Sequence, residues 1–279
     1  MHISYHHYCK NEMIGDDRMS WTQQSQKAAI YFEKEGEGIP LLFVHPPSMG
    51  HVTFRRQKNR LSESYQVITM DCRGNGRSGI DEQPLTMSVL ADDVIRVLDE
   101  ANVNSAYLCG YSNGGSIVQE AAIRYPNRVR GIILLGGFPE VNSFLLRNEF
   151  KLGILATRAK QMNVVSNVLA VAHERNQRNK RELSNYVRLT PASVLEKYYR
   201  IGLEYTATKR LHKITCPLLL MYGTRDDYVH HYRHLFTENV TGEVEVVLID
   251  DVGHQLPTKK SSAVHEIIKT FIGTHEKNA

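Results

Sequence analysis

A serine, an aspartate and a histidine in this sequence stand in an order that suits acyl transfer through a covalent intermediate. A serine hydroxyl is a weak nucleophile alone, so it needs a general base, and the base needs a carboxylate that orients it. Ser112 lies in Gly110-Tyr-Ser-Asn-Gly114, which matches the pattern G-x-S-x-G. An apolar run precedes this motif and a helical pattern follows it, which is the strand–turn–helix context of a nucleophile elbow. The motif therefore predicts Ser112 as a catalytic nucleophile.

The candidate carboxylate and the candidate base lie further along the chain, each just after a predicted strand. Asp226 and Asp227 follow one apolar run, and either could serve as the carboxylate. His254 follows another run and is preceded by a glycine that permits a tight approach, which distinguishes it among 13 histidines. Catalytic groups gather at the carboxyl ends of the strands in open α/β sheets. We therefore expect His254 to act as the base for Ser112.

Short apolar runs alternate with longer amphipathic stretches along most of the chain. The runs predicted as strands are 28–33, 40–45, 66–71, 105–110, 131–136, 217–222 and 244–250. Apolar residues at helical spacing predict helices over 88–101, 116–125 and 261–274. Near-continuous Val, Ile and Leu runs that alternate with helices indicate a mostly parallel sheet covered on both faces.

Two segments depart from this alternation. Residues 138–212 have helix-like periodicity and no convincing strand, so we expect a helical cap inserted into a single domain of residues 27–279. Residues 1–26 are polar without a clear period, which is typical of a poorly ordered N-terminal arm.

The composition excludes several classes of protein. Hydrophobic residues make up 42% and charged residues 23%, which is ordinary for a globular chain. No apolar run approaches the ~18–20 residues of a transmembrane segment. The net charge of +4 is too balanced to indicate a nucleic-acid partner. The four cysteines form no CxxC pair and the N-terminal residues lack a signal-peptide pattern, so we expect a cytoplasmic protein with reduced thiols.

Positive charge is concentrated in residues 140–213, which hold 14 Lys or Arg and 6 Asp or Glu, a net charge of +8. The default interpretation is a solvated face of the cap helices. The sharper interpretation is attraction of an anionic substrate, acidic partner or acidic surface. His230, His231 and His234 have no carboxylate or cysteine at metal-ligand spacing, so a solvated helix face is favoured over a metal site.

Taken together, five motifs make residues 28–272 resemble the cap-bearing serine hydrolases of the α/β-hydrolase fold family. They are His45-Pro-Pro-Ser-Met-Gly50, Asp71-Cys-Arg-Gly-Asn-Gly-Arg-Ser78, the elbow around Ser112, Gly223-x-x-Asp226 and Gly253-His254. The resemblance implies an eight-stranded, mostly parallel sheet flanked by helices. It favours Asp226 over Asp227, because the family acid stands three residues after the glycine.

The same resemblance implies a function. Ser112 would attack a small carboxylic ester, lactone or thioester, His254 would move the proton, and Asp226 would orient the imidazole of His254. No metal and no organic cofactor are implied. Asp71 and Arg73 are interpreted as a local ion pair that braces the site, rather than as catalytic groups.

One feature departs from the family pattern. The family oxyanion hole uses the backbone N–H after the nucleophile, here that of Asn113, and a second N–H from the loop after an early strand. The usual second donor is replaced by Pro47, which has no N–H. Ser48 or Met49 would then donate, and we expect Ser48. Losing one donor costs ~10²–10³ in rate.

Two alternative functions follow from these observations. The fold also serves ligand-binding signalling or partner-binding proteins with little turnover, and the Pro46-Pro47 pair keeps that alternative open. Hydrolysis of C–C bonds and perhydrolase chemistry use the same triad. The sequence does not predict an oligomeric state.

Overall fold

The computed structural model describes residues 19–22 and 27–277. In this part of the chain, eight strands form one sheet. They are β1 (Met19–Trp21), β2 (Tyr31–Glu35), β3 (Pro40–Val44), β4 (Gln66–Met70), β5 (Ala106–Tyr111), β6 (Val129–Leu135), β7 (Leu218–Gly223) and β8 (Val244–Ile249). Their order across the sheet is β1-β2-β4-β3-β5-β6-β7-β8. The first two strands pair antiparallel, as do β2 and β4, and the other neighbouring pairs are parallel.

Alternating side chains of the central strands pack into two separate cores, one on each face of the sheet. Leu42 and Val44 of β3 belong to one core, whereas Leu41 and Phe43 belong to the other. Successive side chains of a strand point to opposite faces, so a continuous apolar run is needed where both faces are covered. Every residue of β5 and of β7 is buried for this reason.

Ten α-helices cover the sheet and its edges within the described residues. They are α1 (Arg55–Leu61), α2 (Met87–Glu100), α3 (Gly114–Arg124), α4 (Phe144–Arg158), α5 (Met162–His173), α6 (Gln177–Val187), α7 (Ala192–Glu204), α8 (Arg233–Asn239), α9 (Leu256–Lys259) and α10 (Ser261–Lys277). Short 3₁₀ segments span His51–Phe54, Pro126–Arg128, Thr208–Lys213 and His230–Tyr232. The eight-stranded α/β architecture predicted from the sequence is confirmed.

Four of these helices, α4 to α7, lie between β6 and β7, inside the segment predicted as a cap, and we call them the cap helices. Within this group α4 packs on α7, and α5 packs on α6. Two tyrosine hydroxyls link the cap helices to the core through hydrogen bonds. The Tyr186 hydroxyl on α6 donates to Asp71 Oδ2 at 2.5 Å, and the Tyr198 hydroxyl on α7 donates to the Arg73 carbonyl at 2.8 Å.

The loop from Asp71 to Ser78 is braced by buried charges, but the local ion pair predicted between Asp71 and Arg73 is not formed. Asp71 accepts hydrogen bonds from His51 and Tyr186 instead. Arg73 is 1% exposed and donates two hydrogen bonds to Asp93, at 2.8 and 2.7 Å, and one to Asp81 at 2.5 Å. Arg96 also donates to Asp93, at 2.9 Å. The loop position is therefore tied to α2, which carries Asp93 and Arg96.

The structure differs from the expectations at the N-terminal end. Residues 19–21 of the predicted arm form strand β1, which pairs with β2, so the sheet begins before residue 27. The rest of the arm, residues 1–18 and 23–26, lies outside the described residues.

None of the helices in the described segments combines the length and the hydropathy required to cross a membrane.

Candidate active site

Ser112 occupies a sharp turn between β5 and α3. Its φ of 53° is in the left-handed region, which is costly for a residue other than glycine. The Ser112 N–H donates to the Leu135 carbonyl at 2.9 Å, which holds the turn against β6. A Cβ atom at Gly114 would lie 2.3 Å from the Val44 carbonyl oxygen, and one at Gly110 would lie 2.5 Å from the Cα of Gly115. Both glycines are needed because strand and helix approach closely here.

Asp226 and His254 meet at the same edge of the sheet. Asp226 follows β7, and His254 follows β8. The Nδ1 atom of His254 lies 2.7 Å from Asp226 Oδ2, and the Asp226 side chain is fully buried. An Nδ1–H that donates to this carboxylate leaves Nε2 of the imidazole as a proton acceptor. Asp227 is exposed.

Gly136 is a site residue that the sequence reasoning missed. It follows β6 with a φ of 61°, and a Cβ atom there would lie 2.8 Å from Cε1 of His254. The absence of a side chain at this position makes room for the imidazole. On another side of His254, the ring of Tyr111 lies with its centroid 5.3 Å from the imidazole centroid. The glycine pair Gly136-Gly137 at the end of an apolar run was the available signal in the sequence.

A cavity of about 300 Å³ brings the candidate residues together. Ser112, Asn113 and His254 line it from the core, beside the proline pair Pro46-Pro47. The cap side is mainly apolar and aromatic, with Leu146, Phe150, Val168, Leu169 and Tyr199. The cavity therefore lies between the sheet edge and the cap helices.

The Ser48 N–H, predicted to donate to an oxyanion, has another partner in this structure. The Ser48 N–H already donates to Asn75 Oδ1 at 2.7 Å, and the Met49 N–H donates to the Pro46 carbonyl at 3.2 Å. Because prolines 46 and 47 have no N–H, residues 46–49 offer no free backbone donor. Asn113 does line the cavity, and its side-chain amide is buried with neither polar atom hydrogen-bonded to another described residue.

The electrostatics of the site favour the protonated form of His254 more than water favours that of a free histidine side chain. Burial disfavours the imidazolium, but the hydrogen bond and charge of Asp226, with the charge of Glu149, raise the pKa of His254 above its usual 6.5. His173 lines the same cavity, and burial together with the charge of His254 lowers the pKa of His173 to about 3. The pKa values of the two histidines are therefore shifted in opposite directions, upward for His254 and downward for His173.

These shifts predict the pH dependence of catalysis. A base must be neutral to accept a proton, so a raised pKa moves the loss of activity on acidification to higher pH. We expect kcat/KM for a neutral ester to fall below an apparent pKa above 6.5, measured in buffers of constant ionic strength from pH 5 to 9. An acidic limb centred below 6.5, or activity constant down to pH 5, would contradict the role of the Asp226–His254 pair.

The basic residues of the segment 140–213 do not line this cavity. No Lys or Arg occurs among its lining residues, all of which lie in the described part of the chain. Several of these side chains are instead paired at the surface, such as Arg158 with Glu196 at 2.9 Å. The expected attraction of an anionic substrate therefore has no support from the cavity walls.

Comparisons with known proteins agree with this fold. Residues 59–260 match the family model described as serine aminopeptidase, S33. The chain is 26% identical over 253 residues to the RutD protein of Azorhizobium caulinodans, whose assigned carbamate hydrolase activity is provisional, and the match covers 88% of this chain and 96% of the relative. It is 26% identical over 212 residues to the pimeloyl-[acyl-carrier protein] methyl ester esterase of Aliivibrio salmonicida, covering 72% and 79% of the two chains.

A solved structure of an esterase from Exiguobacterium antarcticum superposes with a TM-score of 0.82. The two chains are 20% identical, and the superposition covers 91% of this chain and 99% of the esterase. At this identity the likeness establishes the fold. The family model spans more than half of the chain, and the chain therefore belongs to the S33 serine aminopeptidase family and is an α/β-hydrolase.

Proposed function

We propose that the protein is a serine hydrolase that cleaves a small carboxylic ester, lactone or thioester through an acyl-enzyme. The observation that carries this proposal is the buried Asp226–His254 hydrogen bond of 2.7 Å, placed in one cavity with the strained Ser112. Nucleophile, base and orienting carboxylate are the three parts that this chemistry requires.

The proposed reaction proceeds in two halves. The Ser112 hydroxyl oxygen attacks the carbonyl carbon while Nε2 of His254 takes the hydroxyl proton, and the negative charge moves to the carbonyl oxygen. The backbone N–H of Asn113 is the proposed donor to that oxygen. The C–O or C–S bond to the leaving group then breaks, and His254 returns its proton to that group. Water repeats the sequence on the acyl-enzyme and regenerates Ser112.

The size and walls of the cavity support small substrates. A volume of about 300 Å³ is at the lower end of small-molecule sites, ~300–1,000 Å³. The apolar cap side chains suit an acyl or alcohol chain that lacks hydrogen-bonding groups. The methyl ester esterase relative supports an ester as the substrate class.

The direct test of this function is turnover of p-nitrophenyl esters with acyl chains from acetate to decanoate. We expect saturable hydrolysis with the highest kcat/KM for short chains, because the cavity limits acyl length. We also expect turnover ~10²–10³ slower than with two backbone oxyanion donors, since residues 46–49 supply none. Rates equal to the buffer reaction for every ester, with the protein folded, would contradict the proposal.

A second candidate function is favoured by the loop of residues 46–49. Two prolines and two occupied N–H groups in residues 46–49 suit a ligand-binding protein with little turnover. In that case esters or lactones would raise the unfolding temperature without being consumed. Conversion of the ligand during the same experiment would exclude this candidate.

A further inference from the structure

Glu149 on α4 places a carboxylate in the cavity beside the proposed catalytic residues. Glu149 is exposed to solvent and makes no hydrogen bond and no ion pair with any other described residue. Its charge nevertheless acts on its neighbours across the cavity. Burial and then the Glu149 charge raise the pKa of Tyr199 to about 12, and Glu149 also contributes to the raised pKa values of Tyr111 and His254. Glu149 lines the same cavity as all three side chains.

No Lys or Arg of the cavity lining compensates this carboxylate. The cavity lining contains no Lys or Arg, although the segment 140–213 carries 14 of them. The other carboxylate close by is Asp226, whose hydrogen bond is directed to His254. Desolvation raises the pKa of Glu149, the charge of His254 lowers it, and the charge of Asp226 raises it, with a net upward shift. A cation bound in the cavity would supply a positive partner.

Aromatic rings surround the space that such a cation would occupy. The rings of Tyr111, Phe150, Tyr199 and Tyr228 all line the cavity. Phe150 and Tyr199 pack edge to face, with centroids 6.0 Å apart, so this part of the wall is ordered by packing. Aromatic faces attract ammonium groups, and they do so most strongly where water is excluded. A carboxylate among several aromatic rings is a combination suited to an alkylammonium group.

We propose that Glu149 and the aromatic wall make the cavity selective for esters that carry a positively charged ammonium group near the scissile bond. The inference rests on the proposed esterase function and adds a substrate class to it. It reverses the anionic preference expected from the net charge of the segment 140–213. The cation would lie against Glu149 and Tyr199 while the ester carbonyl faces Ser112.

Two matched pairs of esters test this selectivity. The first pair is the butyrate of choline and the butyrate of 3,3-dimethylbutanol, which has the same shape without the charge. The second pair places the same difference in the acyl part, as p-nitrophenyl esters of 4-(trimethylammonio)butanoate and 5,5-dimethylhexanoate. In at least one pair we expect kcat/KM to favour the cationic ester about tenfold. The variant Glu149→Gln should lower that ratio about tenfold.

Comparing ratios between variants cancels the intrinsic reactivity of the esters. The control is Glu204→Gln, an exposed glutamate of the cap helix α7 outside the cavity, which should leave the ratio unchanged. Ratios near one in both pairs, or a cation preference that survives in Glu149→Gln, would overturn the inference while hydrolysis of the neutral esters sustains the proposed function. Failure to hydrolyse any of the four esters would overturn the inference and the proposed function together.

Discussion

Replacing Asp226 by asparagine is expected to lower kcat/KM for a short ester about 10³–10⁴-fold. Asparagine keeps the size of the side chain, but it removes the negative charge that stabilises the imidazolium of His254. Its amide can also donate to Nδ1, which would favour the tautomer with the proton on Nε2 and leave no acceptor facing Ser112. The loss should be measured as kcat/KM, with circular dichroism to establish that the variant is folded.

The neighbouring residue supplies a matched control for this prediction. Asp227 is exposed and does not touch His254, so Asp227→Asn should change kcat/KM by less than about twofold. Equal losses in the two variants, or a larger loss at Asp227, would mean that Asp226 is not the orienting carboxylate.

The second large effect is expected in stability, at Asp93. This carboxylate is 1% exposed and accepts three hydrogen bonds, two from Arg73 and one from Arg96. The variant Asp93→Asn would leave two guanidinium groups with little exposure facing a neutral amide. Removing one partner of a buried ion pair costs about 3–5 kcal/mol, because the remaining charge stays desolvated. We expect a decrease of about this size in the free energy of unfolding, measured in urea.

An exposed aspartate on the same helix provides the comparison. Asp92 pairs with Arg124 at 3.0 Å, and both side chains are more than one third exposed. Surface pairs contribute little, so Asp92→Asn should cost less than about 1 kcal/mol. If both variants unfold at the same urea concentration as the wild type, the Arg73–Asp93 pair does not hold the loop as described.

Much of the sheet could be predicted because most of its strands coincide with short apolar runs in the sequence. The seven predicted apolar runs each overlap a strand, from β2 to β8. Central strands such as β5 and β7 are buried on both faces and are therefore almost entirely apolar. The candidate residues could be predicted for a related reason. Parallel strands direct their carboxyl ends to one edge, so Ser112, Asp226 and His254 were expected to converge although they are far apart in sequence.

Other features depend on contacts that sequence spacing does not record. Strand β1 has only three residues, and its pairing with β2 decides its structure rather than its polar composition. The N–H of Ser48 was expected to be free, but its partner Asn75 comes from a loop 27 residues away. The role of Gly136 depends on how closely β6 passes the imidazole of His254. Each of these results from packing between distant segments.

The electrostatics of the cap could also be predicted only in part from the sequence. Its helices were predicted from their periodicity, and the net charge of residues 140–213 was read correctly as positive. Net charge does not say which side chains face inward, however. A glutamate and a histidine of the cap helices line the cavity, Glu149 and His173. His173 is neutral there, so the acidic Glu149 is the charged one. Substrate selectivity therefore follows from the few residues that line the cavity.

The most direct test of the account is covalent labelling with a fluorophosphonate probe, comparing the wild type with Ser112→Ala and locating the adduct by mass spectrometry. The probe reacts with an activated serine and does not require knowledge of the substrate. We expect stoichiometric labelling of the wild type on the peptide that contains Ser112 and no labelling of the folded variant. Labelling of another serine, or persistent labelling of Ser112→Ala, would contradict the assignment of Ser112 as the nucleophile.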